Sequence, residues 1–234
     1  MALILKKKLK PAVKQVYESP TGQVFDGISM AKDMTMICLE GGIDALPSHN
    51  KQEGDSTDAV ENILSTANNT SQQEAALCYV EHFKWSVFPL HWIDDNGCCS
   101  CNDNECKSQG KHPLVKWGNE ATTDHDQITQ WWSKWPKANI GIATGAKSGL
   151  VVLDVDVDSG GEASLNKLLD QYGPLPETIR VKTGSGGEHI YFKHPGGKVG
   201  NSASKVGAGL DIRGDGGYVV APPSNHLKGN YQWK

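Results

Sequence analysis

The stretch "GLVVLDVDVDSGG", residues 149–161, decides how this chain is read. Four apolar residues, Leu150 to Leu153, run straight into Asp154, Asp156 and Asp158. A short apolar run rich in β-branched residues describes a buried strand. Such a strand is a poor place for charge, because taking an ionised carboxylate out of water costs several kcal/mol. Residues i and i+2 of a strand share a face, so Asp154 and Asp156 emerge side by side, joined by Asp158 if the strand continues. Like charges this close repel unless a proton or a cation neutralises them. A hard divalent cation with oxygen ligands, Mg²⁺ or Mn²⁺, does so. A strand end whose acids simply face water accounts for the same letters.

Working outward, "NIGIATG" reads as a short strand with a glycine turn, and Gly161 to Gly173 as a helix with Leu165, Leu168 and Leu169 inside and a glycine stop. "TIRVKTGSGGEHIYFKH" is a hairpin about a Gly/Ser turn, and "AGLDIRGDGGYVVAPPS" a strand, turn and strand. Upstream, Ser71 and Glu74 fit a capping box for a helix over "EAALCYVEHFKW", and "SVFPLHW" reads as a strand. A further helix starts after Thr123, with Asp124 and Asp126 in its first turn. Its Ile128, Trp131, Trp132 and Trp135 fall at i, i+3, i+4 and i+7, which makes the tryptophans core rather than a base-stacking platform. Residues 1–70 form an extension and linker, with a few strands and one short helix near Ala59 to Leu64. The catalytic-size domain is expected over 71–234.

Two further segments add chemistry. In "KTGSGGEHIYF", Ser185, Gly186 and Gly187 allow a tight turn whose backbone N–H groups can face an anion, and His189 opens the next strand. In "GLDIRGDGGYVVAPPS", Asp211 and Arg213 share a strand face, one a third metal ligand, the other a planar fork for phosphate. Asp215, Gly216 and Gly217 make the turn. Two prolines then stop the sheet and leave Ser224 and His226 at a loop mouth. Each segment alone fits a plain hairpin. Together, three carboxylates, a glycine turn, a histidine and an arginine are the inventory for two-metal phosphoryl or nucleotidyl transfer.

Charge is unevenly spread. The chain carries 23 Lys/Arg against 27 Asp/Glu, yet residues 179–234 hold eight basic and three acidic side chains, which suits an anionic ligand beside bound metal. Of six cysteines, Cys98, Cys99, Cys101 and Cys106 are clustered. With no export signal, clustering favours metal over disulfides. Cys99, Cys101, Cys106 and His112 can wrap a tetrahedral zinc as a structural staple at 98–112, with Cys98 an alternative to Cys99. Cys38 and Cys78 read as ordinary buried thiols. No apolar run approaches the roughly 20 residues of a membrane span, so an intracellular, cytoplasmic protein is expected.

The motifs "WSVFPL", "GKHPLVKW", "ATTDHDQITQWW", "NIGIATGAKSGLVVLDVD", "TGSGGEHIYF", "GLDIRGDGGYVVAPPS" and "YQW" occur in this order. In that order they resemble the primase–polymerase (Prim-Pol) domain of the archaeo-eukaryotic primase superfamily, over about two-thirds of the chain. The resemblance implies an α/β (α+β) primase-like core of mixed sheets flanked by helices, with a zinc-binding loop. It implies a DNA primase or polymerase of phages or mobile elements, using Mg²⁺ or Mn²⁺ and structural Zn²⁺. Single-stranded DNA template, primer and NTP or dNTP would be its partners, with a helicase as a separate protein or a further domain. Asp154, Asp156 and Asp211 would hold the metal, and His189 would contact the phosphates. Ser185 to Gly187 and Arg213 would line the triphosphate pocket; Lys116, Thr144, Ser224 and His226 lie in matching segments. Some members place a serine two residues before the histidine; here that position is Gly187, so its contact falls to Ser185 or backbone. A metal-dependent nuclease or phosphodiesterase, and a non-catalytic zinc-loop nucleic-acid reader, are the rival readings.

Overall fold

The computed structural model describes residues 56–234 and the backbone of two short strands, β1 (Val16–Glu18) and β2 (Val24–Asp26), which pair antiparallel. Cys38 lies outside the described residues. The short helix expected near Ala59 extends over α1 (Ser56–Ala67). It packs into the domain ahead of the expected boundary at Ser71, burying Leu64 and Ala67. Asn68 ties its end to the far end of the chain: its amide donates to the Trp233 carbonyl at 3.1 Å and its Oδ1 accepts from the Trp233 N–H at 2.8 Å.

Helix α2 (Gln72–Phe83) opens with the capping box that Ser71 and Glu74 predict. Hydrogen bonds from the Thr70 hydroxyl, the Ser71 hydroxyl and the Ser71 backbone hold the Glu74 carboxyl down at about 2. A single turn, α3 (Trp117–Glu120), precedes α4 (His125–Lys134), which Asp124 caps by accepting from the Gln127 N–H. Ile128, Trp131 and Trp132 of α4 are buried as core, as their spacing requires.

Two sheets carry the rest. The smaller is β10 (Tyr218–Ala221), β4 (Asn139–Ala143) and β3 (Val87–Leu90), in that order. The larger runs β13 (Gln232–Trp233), β6 (Arg180–Lys182), β7 (Glu188–Lys193), β5 (Leu150–Val155), β9 (Leu210–Arg213) and β8 (Ser202–Gly207). Strand pairs in both are antiparallel, with one parallel bridge at Gly200 and Asp215. A two-stranded hairpin, β11 (Asn225–His226) and β12 (Gly229–Asn230), stands at the rim.

Strand β5 explains the architecture by its alternation. Val151, Leu153 and Val155 face one way, into a core with α5 (Gly161–Tyr172), which supplies Leu165 and Leu168. Leu150 and Val152 face the other way, into the larger core shared with β3, β4, β10, α2 and α4. The next residue on that face is Asp154, where the space between the sheets opens. The motif read as strand, turn and strand is split between layers: β9 belongs to the larger sheet and β10 to the smaller. The link, Gly214 to Gly217, is pinned by Asp215, whose carboxylate accepts from the Ala146 and Val199 N–H groups, each at 2.8 Å.

Candidate active site

Strand register brings the acids together. Asp154 on β5 lies opposite His189 on β7 and, on its other side, opposite Asp211 on β9. All three line a cavity of about 760 Å³ between the sheets. Arg213 bridges the acids: its Nη2 donates to Asp154 Oδ2 and to Asp211 Oδ2, each at 2.9 Å. The two carboxylates thus converge on one cationic nitrogen. An all-oxygen pair that shares one positive charge fits a hard divalent cation.

Asp156 lies one residue past β5 and lines the same cavity. Its carboxylate is turned into the chain, accepting from the Asp158 N–H at 3.0 Å and the Ser159 hydroxyl at 2.7 Å. The strand does not continue to Asp158: the chain turns into a 3₁₀ turn at Val157–Ser159, and Asp158 instead pairs with Lys228 at 2.6 Å. A glycine-led helix start follows immediately, which is why the strand pattern of alternating acids stops.

His189 is buried, with Nε2 3.5 Å from Asp154 Oδ1 and Nδ1 without a hydrogen-bond partner. Burial lowers its pKa, the Asp154 charge opposes this, and Arg213 and Lys111 add to the lowering. The imidazole is therefore neutral near pH 7. The unfolded histidine titrates near about 6.5, so below that pH the unfolded chain binds more protons than the folded one, and stability falls with pH. Thermal melting of wild type should drop from pH 7 toward pH 5 more than that of His189→Gln. Equal slopes in the two proteins would refute this account of the buried ring.

The Gly/Ser turn closes the β6–β7 hairpin. Gly186 has φ +95°, a region that favours glycine, and a Cβ on Gly187 would stand 2.3 Å from the Val155 carbonyl. Glycine there lets β7 approach β5 where His189 faces Asp154. Ser185 lines the cavity and its hydroxyl lies 3.1 Å from the Thr183 hydroxyl. His226 lines the cavity from the rim hairpin. Thr144 and Ser224 are buried on structural bonds: Thr144 donates to the Gly214 carbonyl at 2.7 Å, and Ser224 Oγ accepts from the Ile140 N–H at 2.9 Å. Lys116 is exposed at the start of α3 and is not among the cavity's lining residues.

A second group lies beside the cavity. The ligand atoms of Cys99, Cys101, Cys106 and His112 all fall within 4.8 Å of one another. His112 Nε2 is 3.4 Å from Cys99 Sγ and 3.5 Å from Cys106 Sγ. A tetrahedral zinc with Zn–S near 2.3 Å and Zn–N near 2.0–2.1 Å separates sulfur from nitrogen by about 3.6 Å, so the four residues fit that ion. Cys98 is exposed and points away, toward the Asn96 carbonyl. Cys78 is half-buried, and burial pushes its thiol up.

The family model for bifunctional DNA primase/polymerase, N-terminal (Prim-Pol) matches residues 76–234. The chain belongs to the Prim-Pol family. A comparison with curated proteins returned no match. Membership implies DNA primase/polymerase activity, with nucleic acid and nucleotides as substrates and divalent metals in the reaction. No helix of the described residues is long and apolar enough to cross a membrane.

The Prim-Pol cavity also holds residues that sequence reasoning missed. Lys111, Trp117, Asn201, Tyr218, Lys228 and Tyr231 line it. Trp117 and Tyr218 pack edge to face, 5.0 Å apart, and Tyr218 donates to the Lys111 carbonyl at 3.0 Å. The one local signal for Lys111 is its place directly before His112. Lys228 carried no local signal, because its role depends on the hairpin folding back over Asp158.

Proposed function

We propose that this Prim-Pol domain carries out template-directed nucleotidyl transfer at the cavity between the sheets, as a primase, a polymerase or both. The observation that carries the reading is the side-by-side placement of His189, Asp154 and Asp211 on three adjacent strands, facing a cavity of nucleotide size. Asp154 and Asp211 are the metal-holding acids, with Asp156 completing the set once its carboxylate leaves the Asp158 N–H. A bound Mg²⁺ or Mn²⁺ supplies charge neutralisation and lowers the pKa of the primer 3′-hydroxyl. The neutral His189 offers an uncharged N–H at Nε2 to a phosphate oxygen. Arg213, released from the two carboxylates, presents its planar fork to phosphate. Ser185 supplies a hydroxyl beside the glycine turn. The Cys99, Cys101, Cys106 and His112 loop is read as a structural zinc site.

The test is an assay with single-stranded DNA, with and without primer, labelled NTP or dNTP, and Mg²⁺ or Mn²⁺. Label should enter a growing strand. Loss of label from an end-labelled primer, with no extension under any metal, would establish the nuclease reading instead.

A further inference from the structure

We infer that Lys111, carried on the cysteine–histidine loop, receives the phosphates of the bound nucleotide, so that metal in that loop sets nucleotide affinity. This rests on the nucleotide-binding reading of the cavity given above. Among the described residues, three Lys or Arg side chains line the cavity: Lys111, Arg213 and Lys228. Two are already matched by carboxylates. Arg213 is held by Asp154 and Asp211, and Lys228 by Asp158. For the Lys111 ammonium no carboxylate partner occurs among the described residues, although it faces a cavity walled by acids and histidines. Its charge is felt there, since it helps depress both His189 and His226. A compact cation with three donors and no carboxylate partner among the described residues is suited to a phosphate oxygen.

Lys111 owes its position to the loop. Its N–H donates to the Ser108 carbonyl at 3.0 Å, and its carbonyl accepts from the Tyr218 hydroxyl at 3.0 Å. The residue before it, Gly110, donates its N–H to Cys99 Sγ at 3.4 Å, and the residue after it is His112, one of the four ligands. Removing the metal frees Cys99 and His112 on either side of this anchor, and the ammonium loses its fixed place in the cavity wall.

The experiment is isothermal titration of dATP, in excess Mg²⁺, into wild type, Lys111→Ala, Lys111→Arg and Lys137→Ala, each with and without a zinc-selective chelator. Lys137 is an exposed lysine paired with Asp95, away from the cavity. Lys111→Ala should keep its zinc content and melting temperature and bind dATP roughly tenfold or more weakly, with a shallower salt dependence. Lys111→Arg should retain most of the affinity, and Lys137→Ala all of it. Chelation should weaken wild type by a similar factor and add little to Lys111→Ala. Tight binding by wild type and Lys111→Ala alike would overturn the inference and leave the nucleotide site standing. Affinity that falls in Lys111→Ala but survives chelation would overturn the link to the metal. Failure of wild type to bind dATP at all would remove both readings together.

Discussion

Asp154→Asn is expected to cut nucleotide incorporation by about a thousandfold or more while leaving the fold intact. Metal and charge stabilisation contribute several kcal/mol to such reactions, and about 4 kcal/mol corresponds to three powers of ten in rate. The amide keeps the shape of the side chain and an oxygen for Arg213 Nη2, now 2.9 Å from Asp154 Oδ2, so the sheet register has no reason to change. What it removes is one of the two negative charges, those of Asp154 and Asp211, that converge on Arg213. Asp211→Asn should behave alike, because the two residues are direct partners across β5 and β9. The measurement is single-turnover primer extension beside a thermal melt. Unchanged incorporation in a folded Asp154→Asn protein would remove the catalytic assignment of Asp154; no incorporation by wild type or variant would favour a nucleic-acid reader with no chemistry.

The largest expected effect on stability comes from Trp85→Ala, at about 3–5 kcal/mol. Trp85 is 1% exposed and stacks on Phe83 with ring centroids 4.5 Å apart. It also contacts Tyr79 of α2, Tyr191 of β7 and Trp233 of β13, at 6.0, 5.7 and 6.1 Å between centroids. These partners come from a helix and from two strands of the larger sheet. Truncation therefore empties the place where α2 meets that sheet, and no one neighbour can collapse into it without unseating another. Urea denaturation should show the loss as a lowered midpoint with an unchanged slope. Leu227→Ala, at an exposed hairpin tip, should change the midpoint little. A Trp85→Ala protein as stable as wild type would show that the aromatic cluster is not what joins these layers.

The elements most legible in the sequence were those whose signals are local. The Ser71–Glu74 box and the buried Ile128, Trp131 and Trp132 follow from spacing along one segment, and each is found. Asp124, expected in the first turn, is the cap just before it, and Trp135, expected in the same stripe, stands past the helix end and is half-buried. Asp154 with Asp156, and Asp211 with Arg213, were legible as two same-face pairs. Their meeting across strands was not contained in either segment, since it depends on register between strands far apart in sequence. The same limit explains Asp156: its i+2 relation to Asp154 assumes an unbroken strand, and the turn at Val157 redirects its carboxylate. Thr144 and Ser224 sat in promising segments but spend their hydroxyls on backbone groups that only the fold brings close. The cysteine loop was readable because four ligands in one short segment need little long-range information. Its lysine was not, because which wall a loop side chain joins is decided by the rest of the molecule.

The link from Gly214 to Gly217 has a mechanical consequence. It carries the chain from the strand bearing Arg213 directly into β10 of the opposing sheet, and Asp215 clamps it to loops on both sides through Ala146 and Val199. A bridge so short makes the cleft a jaw of fixed gauge at its floor, its opening set when the chain folds. Any adjustment of the opening then falls to the rim, to the β11–β12 hairpin and the cysteine–histidine loop, while the floor keeps Asp154, Asp211 and Arg213 in register.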